Sequence, residues 1–90
     1  MKINSNEALI LVTLRGMDHP RWAQTISREV MDAHGKLLTV AACHAALRSM
    51  AARGLVTTRD SRDEKGSRRI EFTATAKAGR VLASLREALS

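Results

Sequence analysis

The feature that most constrains this chain is the run from Thr39 to Thr75, TVAACHAALRSMAARGLVTTRDSRDEKGSRRIEFTAT. In it a helix-forming block stops at a glycine and gives way to two β-prone blocks around a polar turn. Thr39 is a favourable N-cap, nothing from Val40 to Arg53 breaks a helix, and Gly54 supplies the stop. Leu55–Arg59 is β-prone, and Arg68–Ala74 alternates with Ile70, Phe72 and Ala74 inward and Arg69, Glu71 and Thr73 outward. Asp60–Ser67 between them is polar and charged and contains Gly66, so the pair reads as a β-hairpin with a long tip.

The remaining segments read as support for that unit. Asn4 with Glu7 three residues on has the spacing of a capping box. The helix it opens carries Leu9, Ile10, Val12, Thr13 and Leu14 on nearly every side and ends around Gly16. More than one neighbour must bury it, and a second subunit is the cover expected for any part left over. A second helix is expected to start at Asp18-His19-Pro20-Arg21, with Pro20 in its first turn. Trp22, Ile26, Val30 and Ala33 would form its core stripe, with Arg21, Gln24, Arg28 and Asp32 on the other faces and Gly35 as the stop. A lone Trp at that spacing reads as core rather than as the wall of a ligand pocket. Lys36-Leu37-Leu38 is a short extended piece, long enough for an edge pairing. The third helix turns Val40, Cys43, Leu47 and Met50 inward. Thr75 caps a last helix from Ala76 to about Leu89, striped by Val81, Leu82, Leu85 and Leu89. The expected fold is mainly α with a small β-hairpin (α+β), in the order helix, helix, short strand, helix, strand, strand, helix. That is a winged helix-turn-helix, one domain over residues 1–90.

Charge then separates the two halves. The net charge is +6. Residues 1–35 balance Lys2, Arg15, Arg21 and Arg28 against Glu7, Asp18, Glu29 and Asp32, so the whole excess lies from Lys36 onward. A one-sided basic surface is an electrostatic footprint for a polyanion. Trp22 and Phe72 are the only aromatics, too few for the stacking platforms that hold single strands. Cys43 is the lone cysteine, which excludes an intrachain disulfide and suits a reducing compartment. Ala8–Leu14 is too short for a membrane span and lacks the layout of a signal peptide. A cytoplasmic location with no membrane partner is expected.

No enzyme is expected, because paired carboxylates, metal-ligand spacings and phosphate-cradling glycine loops are missing from the sequence. Cys43 and His44 are neighbours on a helix and point about 100° apart, which argues against a shared metal ion. No cofactor is called for; the first, second and last helices leave room for a small-molecule effector pocket, but no polar constellation marks one.

The outer face of the third helix offers Ala41, Ala42, Ala45, Arg48, Ser49 and Ala52, with His44 on its flank. It has no acidic residue and little bulk. Such a face suits close approach to a DNA groove, where Arg48 and His44 reach bases or phosphates. It equally suits packing against another protein surface. The hairpin carries Arg59, Arg62, Lys65, Arg68 and Arg69 against Asp60, Asp63 and Glu64, mixed in sign but net positive together with the neighbouring helix.

The residues Cys43-His44-Ala45-Ala46-Leu47-Arg48-Ser49-Met50 to Gly54-Leu55-Val56, then Arg68-Arg69-Ile70-Glu71-Phe72-Thr73 to Thr75-Ala76-Lys77-Ala78-Gly79, resemble the PadR-type transcriptional regulators. MarR-like winged helices are the wider resemblance. The shared pattern runs roughly L-Y-P-x-L-x-x-L-x-x-x-G-L-I, then R-R-x-Y-x-L-T-x-x-G, and covers residues 39–82. His44 stands where the family has tyrosine and Ala45 where it has proline. The resemblance implies a homodimeric, double-stranded-DNA-binding repressor that dimerises through its first and last helices. The last helix is expected to serve alone where larger members carry a longer C-terminal region. Carried over by position, Ala42, His44 and Arg48 would lie against the major groove or its phosphates, and Lys65 to Arg69 would reach the backbone or minor groove.

Together these readings put Thr39, Ala41, Ala42, His44, Ala45, Arg48, Ser49, Arg62, Lys65, Arg68 and Arg69 at a DNA interface. Ile10, Val81, Leu82, Leu85 and Leu89 are expected at a dimer interface. The alternative is a winged helix that binds a protein partner and no DNA.

Overall fold

Asn4, Thr39 and Thr75 close three of the helix N-termini where the sequence puts them, and they set the frame of the computed structural model, which describes residues 2–18 and 20–89, the last by its backbone alone. Helix α1 spans Ser5–Gly16, α2 Ala23–His34 and α3 Val40–Ala52; strands β1 (Val56–Arg62) and β2 (Arg68–Ala74) follow, then α4 (Ala76–Leu89). Asn4 and Glu7 form the full capping box of α1: the Glu7 N–H donates to Asn4 Oδ1 at 2.8 Å and the Asn4 N–H to Glu7 Oε1 at 2.9 Å. Thr39 Oγ1 accepts the Ala42 N–H at 3.0 Å. The Thr75 hydroxyl donates to the Gly54 carbonyl at 2.8 Å and accepts the Ala78 N–H at 3.3 Å, joining the start of α4 to the end of α3.

The core lies where α1, α2 and α3 meet the hairpin. Ile10, Leu11, Ile26, Val30, Cys43 and Leu47 are fully buried there, and Phe72 closes it from β2. Burying a side chain such as Phe72 contributes about 1.5–3 kcal/mol. Only the first half of α4 joins in: Ala78 and Leu82 are buried, while Leu85, Arg86, Glu87 and Ala88 are exposed.

The strands pair antiparallel from Val56↔Ala74 to Arg62↔Arg68. The hairpin is thus longer, and its tip shorter, than the sequence suggests. Asp63 closes the turn by accepting the Lys65 and Ser67 N–H groups on Oδ1, each at 2.9 Å. Gly66 has φ +82°, a conformation L side chains rarely adopt.

Several expectations need correction. Helix α2 starts at Ala23, not near Pro20, because residues 21–22 are used by the sheet. The Phe72 N–H donates to the Arg21 carbonyl at 2.9 Å, and Trp22 bridges antiparallel to Glu71. Lys36–Leu38 makes no strand; the short third pairing belongs to Trp22. With the helix start moved, Trp22 becomes its half-buried N-cap and Ala33 is exposed, so the buried face of α2 is Ala23, Ile26, Ser27 and Val30. Val40, expected inward, is about half exposed in the first turn of α3.

Candidate nucleic-acid interface

The outer face of α3 is as bare as its sequence implies. Ala41, Ala42, Ala45, Arg48, Ser49 and Ala52 are all exposed, while Cys43, Leu47 and Met50 hold the opposite side in the core. His44 sits at the edge, half-buried, its ring meeting Phe72 edge-on at 6.1 Å. Cys43 points the other way, and burial pushes its thiol up to about 11. It therefore stays protonated at neutral pH. No group of three or more His, Cys, Asp or Glu is placed to hold a metal among the described residues.

The hairpin's charges are largely spoken for. Arg59 pairs with Glu71, Arg68 with Asp60 at 3.0 Å and Arg69 with Asp63 at 3.1 Å. Arg62 bonds only the Gly66 carbonyl, at 3.3 Å, and Lys65 is exposed at the tip. Those two cations have no carboxylate partner in any ion pair found among the described residues. The Asp63 carboxyl is held below the ordinary aspartate range, first by the Ser67 N–H, then by the Lys65 N–H and by the hydrogen bond and charge of Arg69.

Between α3 and the hairpin lies a small cleft of about 220 Å³. Val40 and His44 line it from α3, Arg68, Arg69 and Ile70 from β2, and Trp22 and Gln24 from the start of α2. The Arg69 guanidinium carbon stands 5.8 Å from the Trp22 ring centre. Trp22 Nε1 is buried without a hydrogen-bond partner among the described residues. A buried N–H left in that condition costs about 1–3 kcal/mol. Trp22 and Gln24, which helical periodicity assigned to core and outer face, thus share one wall. Once α2 is seen to begin three residues later, both fall at its N-terminus.

No protein-family model matches the chain, and none of the curated proteins matches it in sequence. Solved structures do match. The chain superposes on a PadR family transcription regulator from Clostridium difficile with a TM-score of 0.75 at 17% identity, covering 94% of this chain and 86% of that one. For a transcriptional regulator from Clostridium thermocellum the values are 0.75, 14%, 92% and 80%. For Bacillus subtilis PadR in complex with operator DNA they are 0.79, 15%, 93% and 48%. This is the winged-helix fold of the PadR-type regulators.

In winged-helix terms α3 is the recognition helix and the β1–β2 hairpin the wing. Of the residues expected at the DNA interface, Ala41, Ala42, Ala45, Arg48 and Ser49 share the exposed face of the recognition helix, and Arg62, Lys65 and Arg68 are exposed on the wing. Two are committed elsewhere. The Thr39 hydroxyl caps α3, and Arg69 is half-buried between Asp63 and Trp22.

At the other side of the winged helix an open groove of about 1100 Å³ runs between α1 and α4. Leu9, Val12, Leu82 and Leu85 line it, with Arg15, His34 and Arg86 at its rim. Ile10, expected at a subunit interface, is fully buried within its own core and has no surface to offer. Val12, two positions on and about half exposed, occupies the groove instead. Val81 is half-buried, Leu82 is largely in the core, and the Leu89 side chain lies outside the described residues. No helix among the described residues is long and apolar enough to cross a membrane.

Proposed function

We propose that this protein binds double-stranded DNA as a homodimer and regulates transcription, acting as a repressor. The observation that carries the reading is the outer face of α3. It is exposed, free of acidic side chains, bears Arg48, and stands beside a wing whose Arg62 and Lys65 have no carboxylate partner in the ion pairs found among the described residues. Such a face enters a major groove closely, with alanine methyls against thymine methyls and Arg48 and His44 as the long polar groups. Wing cations supply phosphate contacts that set register and affinity. The Bacillus subtilis protein solved with operator DNA has the same fold, which supports this assignment. The α1–α4 groove supports self-association, with Val12 and Leu85 presenting apolar surface for a second copy to cover. A dimer would place two recognition helices about 34 Å apart, one per half-site of a pseudo-palindrome.

The test is gel-shift titration of nuclease-treated protein with duplex DNA at several salt concentrations, alongside sizing by light scattering. Replacing Arg62, Lys65, Arg68 and Arg69 together by alanine should weaken binding to all duplexes. It should also flatten the salt dependence by about 0.9 in log–log slope for each phosphate the wing no longer neutralises. An unchanged slope removes the wing from the interface. No duplex affinity even at low salt transfers the α3 face to the protein-binding reading.

A further inference from the structure

We propose that the groove between α1 and α4 binds a dissolved anionic amphiphile, an aliphatic chain ending in one carboxylate, and that this ligand excludes a second copy of the protein from the same surface. The binding stands apart from the functional reading above; the exclusion rests on the self-association part of it. The floor of the groove is aliphatic, with Leu9 and Val12 from α1 and Leu82 and Leu85 from α4. Val12 is 50% and Leu85 36% exposed, so apolar surface remains for a ligand to cover. No aromatic ring and no carboxylate lines the groove among the described residues. An aromatic ligand finds no carbon ring to stack on there, whereas an alkyl chain needs only apolar contact.

The rim supplies the charge. Arg15, His34 and Arg86 come from the last turns of α1, α2 and α4, far apart in the chain and together at this groove. A basic residue in a last turn suits the helix dipole. Three that converge on one apolar groove also make it complementary to an anion with an apolar tail. None of the ion pairs found among the described residues takes up any of the three. The Arg15 guanidinium lies against α4 at Gly79, 3.7 Å from where a Cβ would stand, which keeps its charge beside the apolar floor. At about 1100 Å³ the groove stands at the upper end of the range for small-molecule sites. Being concave, it suits a free molecule that enters it rather than the surface of a bilayer. Val12 and Leu85 are also the surface offered to a second copy, so an alkyl chain lying on them removes that contact.

The full chain, freed of nucleic acid, is titrated by calorimetry with octanoate, decanoate and decyltrimethylammonium, each below its micelle concentration. Light scattering follows the mass of the protein in the same solutions. Burying one methylene strengthens binding by up to about fourfold, so decanoate should bind roughly five- to fifteenfold tighter than octanoate. It should bind at least about tenfold tighter than the cation with the same tail. Arg15 and Arg86 are exposed, so the double variant Arg15→Gln, Arg86→Gln should keep the wild-type Tm while losing at least about tenfold in decanoate affinity. As decanoate saturates, the mass should fall from dimer to monomer. The proposal fails if decanoate shows no saturable binding or if both head groups bind equally, which would leave a plain apolar surface. Unchanged decanoate binding by the double variant overturns it as well, and so does a dimer that keeps its mass at saturation. Binding to phosphatidylglycerol vesicles without binding to dissolved decanoate would assign the basic rim to a membrane and sink the proposal. If the protein is monomeric before any ligand is added, the self-association reading falls and takes the exclusion with it, while the calorimetric test of the groove is unaffected.

Discussion

In the body of the protein one carboxylate, Glu7, meets one guanidinium, Arg53, with the acid almost wholly out of water and the base about one quarter exposed. In the wing three acids meet three arginines, and there the Arg59, Asp60 and Arg68 side chains are each more than half in solvent. The groups are the same and their consequences differ. Glu7 also accepts the Asn4 N–H, and Arg53 further bonds the Lys2 carbonyl and Ser49, while the Arg53 carbonyl accepts from Lys77 at 2.9 Å. That network ties the starts of α1 and α4 to the end of the recognition helix. The wing pairs span one exposed hairpin, where an ion pair contributes about 0–1 kcal/mol. An arginine held so lightly can exchange an aspartate for a phosphate. The difference teaches that the body pair fixes how α3 is presented, whereas the wing pairs hold cations ready without committing them.

The largest effect should therefore come from the body. Arg53→Ala leaves Glu7 buried and uncompensated, and should cost about 2–3 kcal/mol, below the range for fully buried pairs because Arg53 is partly solvated. For a domain of this size that is a fall of roughly 10–20 °C in Tm. A calorimetric Tm within about 2 °C of the wild type would place this pair in the same class as those of the wing.

A smaller effect of opposite sign is expected from the wing. Asp60→Asn removes the acid that holds Arg68 and leaves the guanidinium free for the phosphate contact proposed for it. Duplex affinity should rise about two- to fivefold, within the ~1 kcal/mol that a surface pair commands, with stability changed by less than about 0.5 kcal/mol. Weaker binding on this change would mean that Asp60 positions Arg68 rather than competes for it. The comparison between body and wing would then lose its basis.

The same division explains what could be read in the sequence. Local chemistry was legible. The caps at Asn4, Thr39 and Thr75, the stops at Gly35 and Gly54, the alternation of β2 and the bare face of α3 all depend on residues within a few positions of one another. Long-range pairing was hidden. Nothing near Pro20 signals that Arg21 and Trp22 will bond β2, fifty residues away, and so delay α2 by a turn. Without that knowledge Trp22 falls onto a core stripe and the cleft is invisible. Ile10 failed as an interface residue for a related reason. A helix apolar on every side does not declare which side its own domain covers, and here that side includes Ile10 and leaves Val12 outside.

The smallest expected effect lies at the tip of the wing and concerns acid. Asp63 accepts the Ser67 and Lys65 N–H groups and pairs with Arg69, and these interactions hold its carboxyl below the ordinary aspartate value of 3.8. A lowered folded-state value means that ionised Asp63 stabilises the turn at all pH above 3.8. The contribution is lost as pH falls through 3.8 and then through the lowered value. Amide exchange at Lys65 and Ser67, followed between about pH 5 and pH 1, should accelerate through that window beyond the trend for the rest of the hairpin. Asp63→Asn keeps an oxygen to accept both N–H groups but cannot ionise. Its tip should show no such added step. Identical profiles for the two would show that the backbone bonds alone close the turn, with Arg69 held in place by Trp22 rather than by the charge of Asp63.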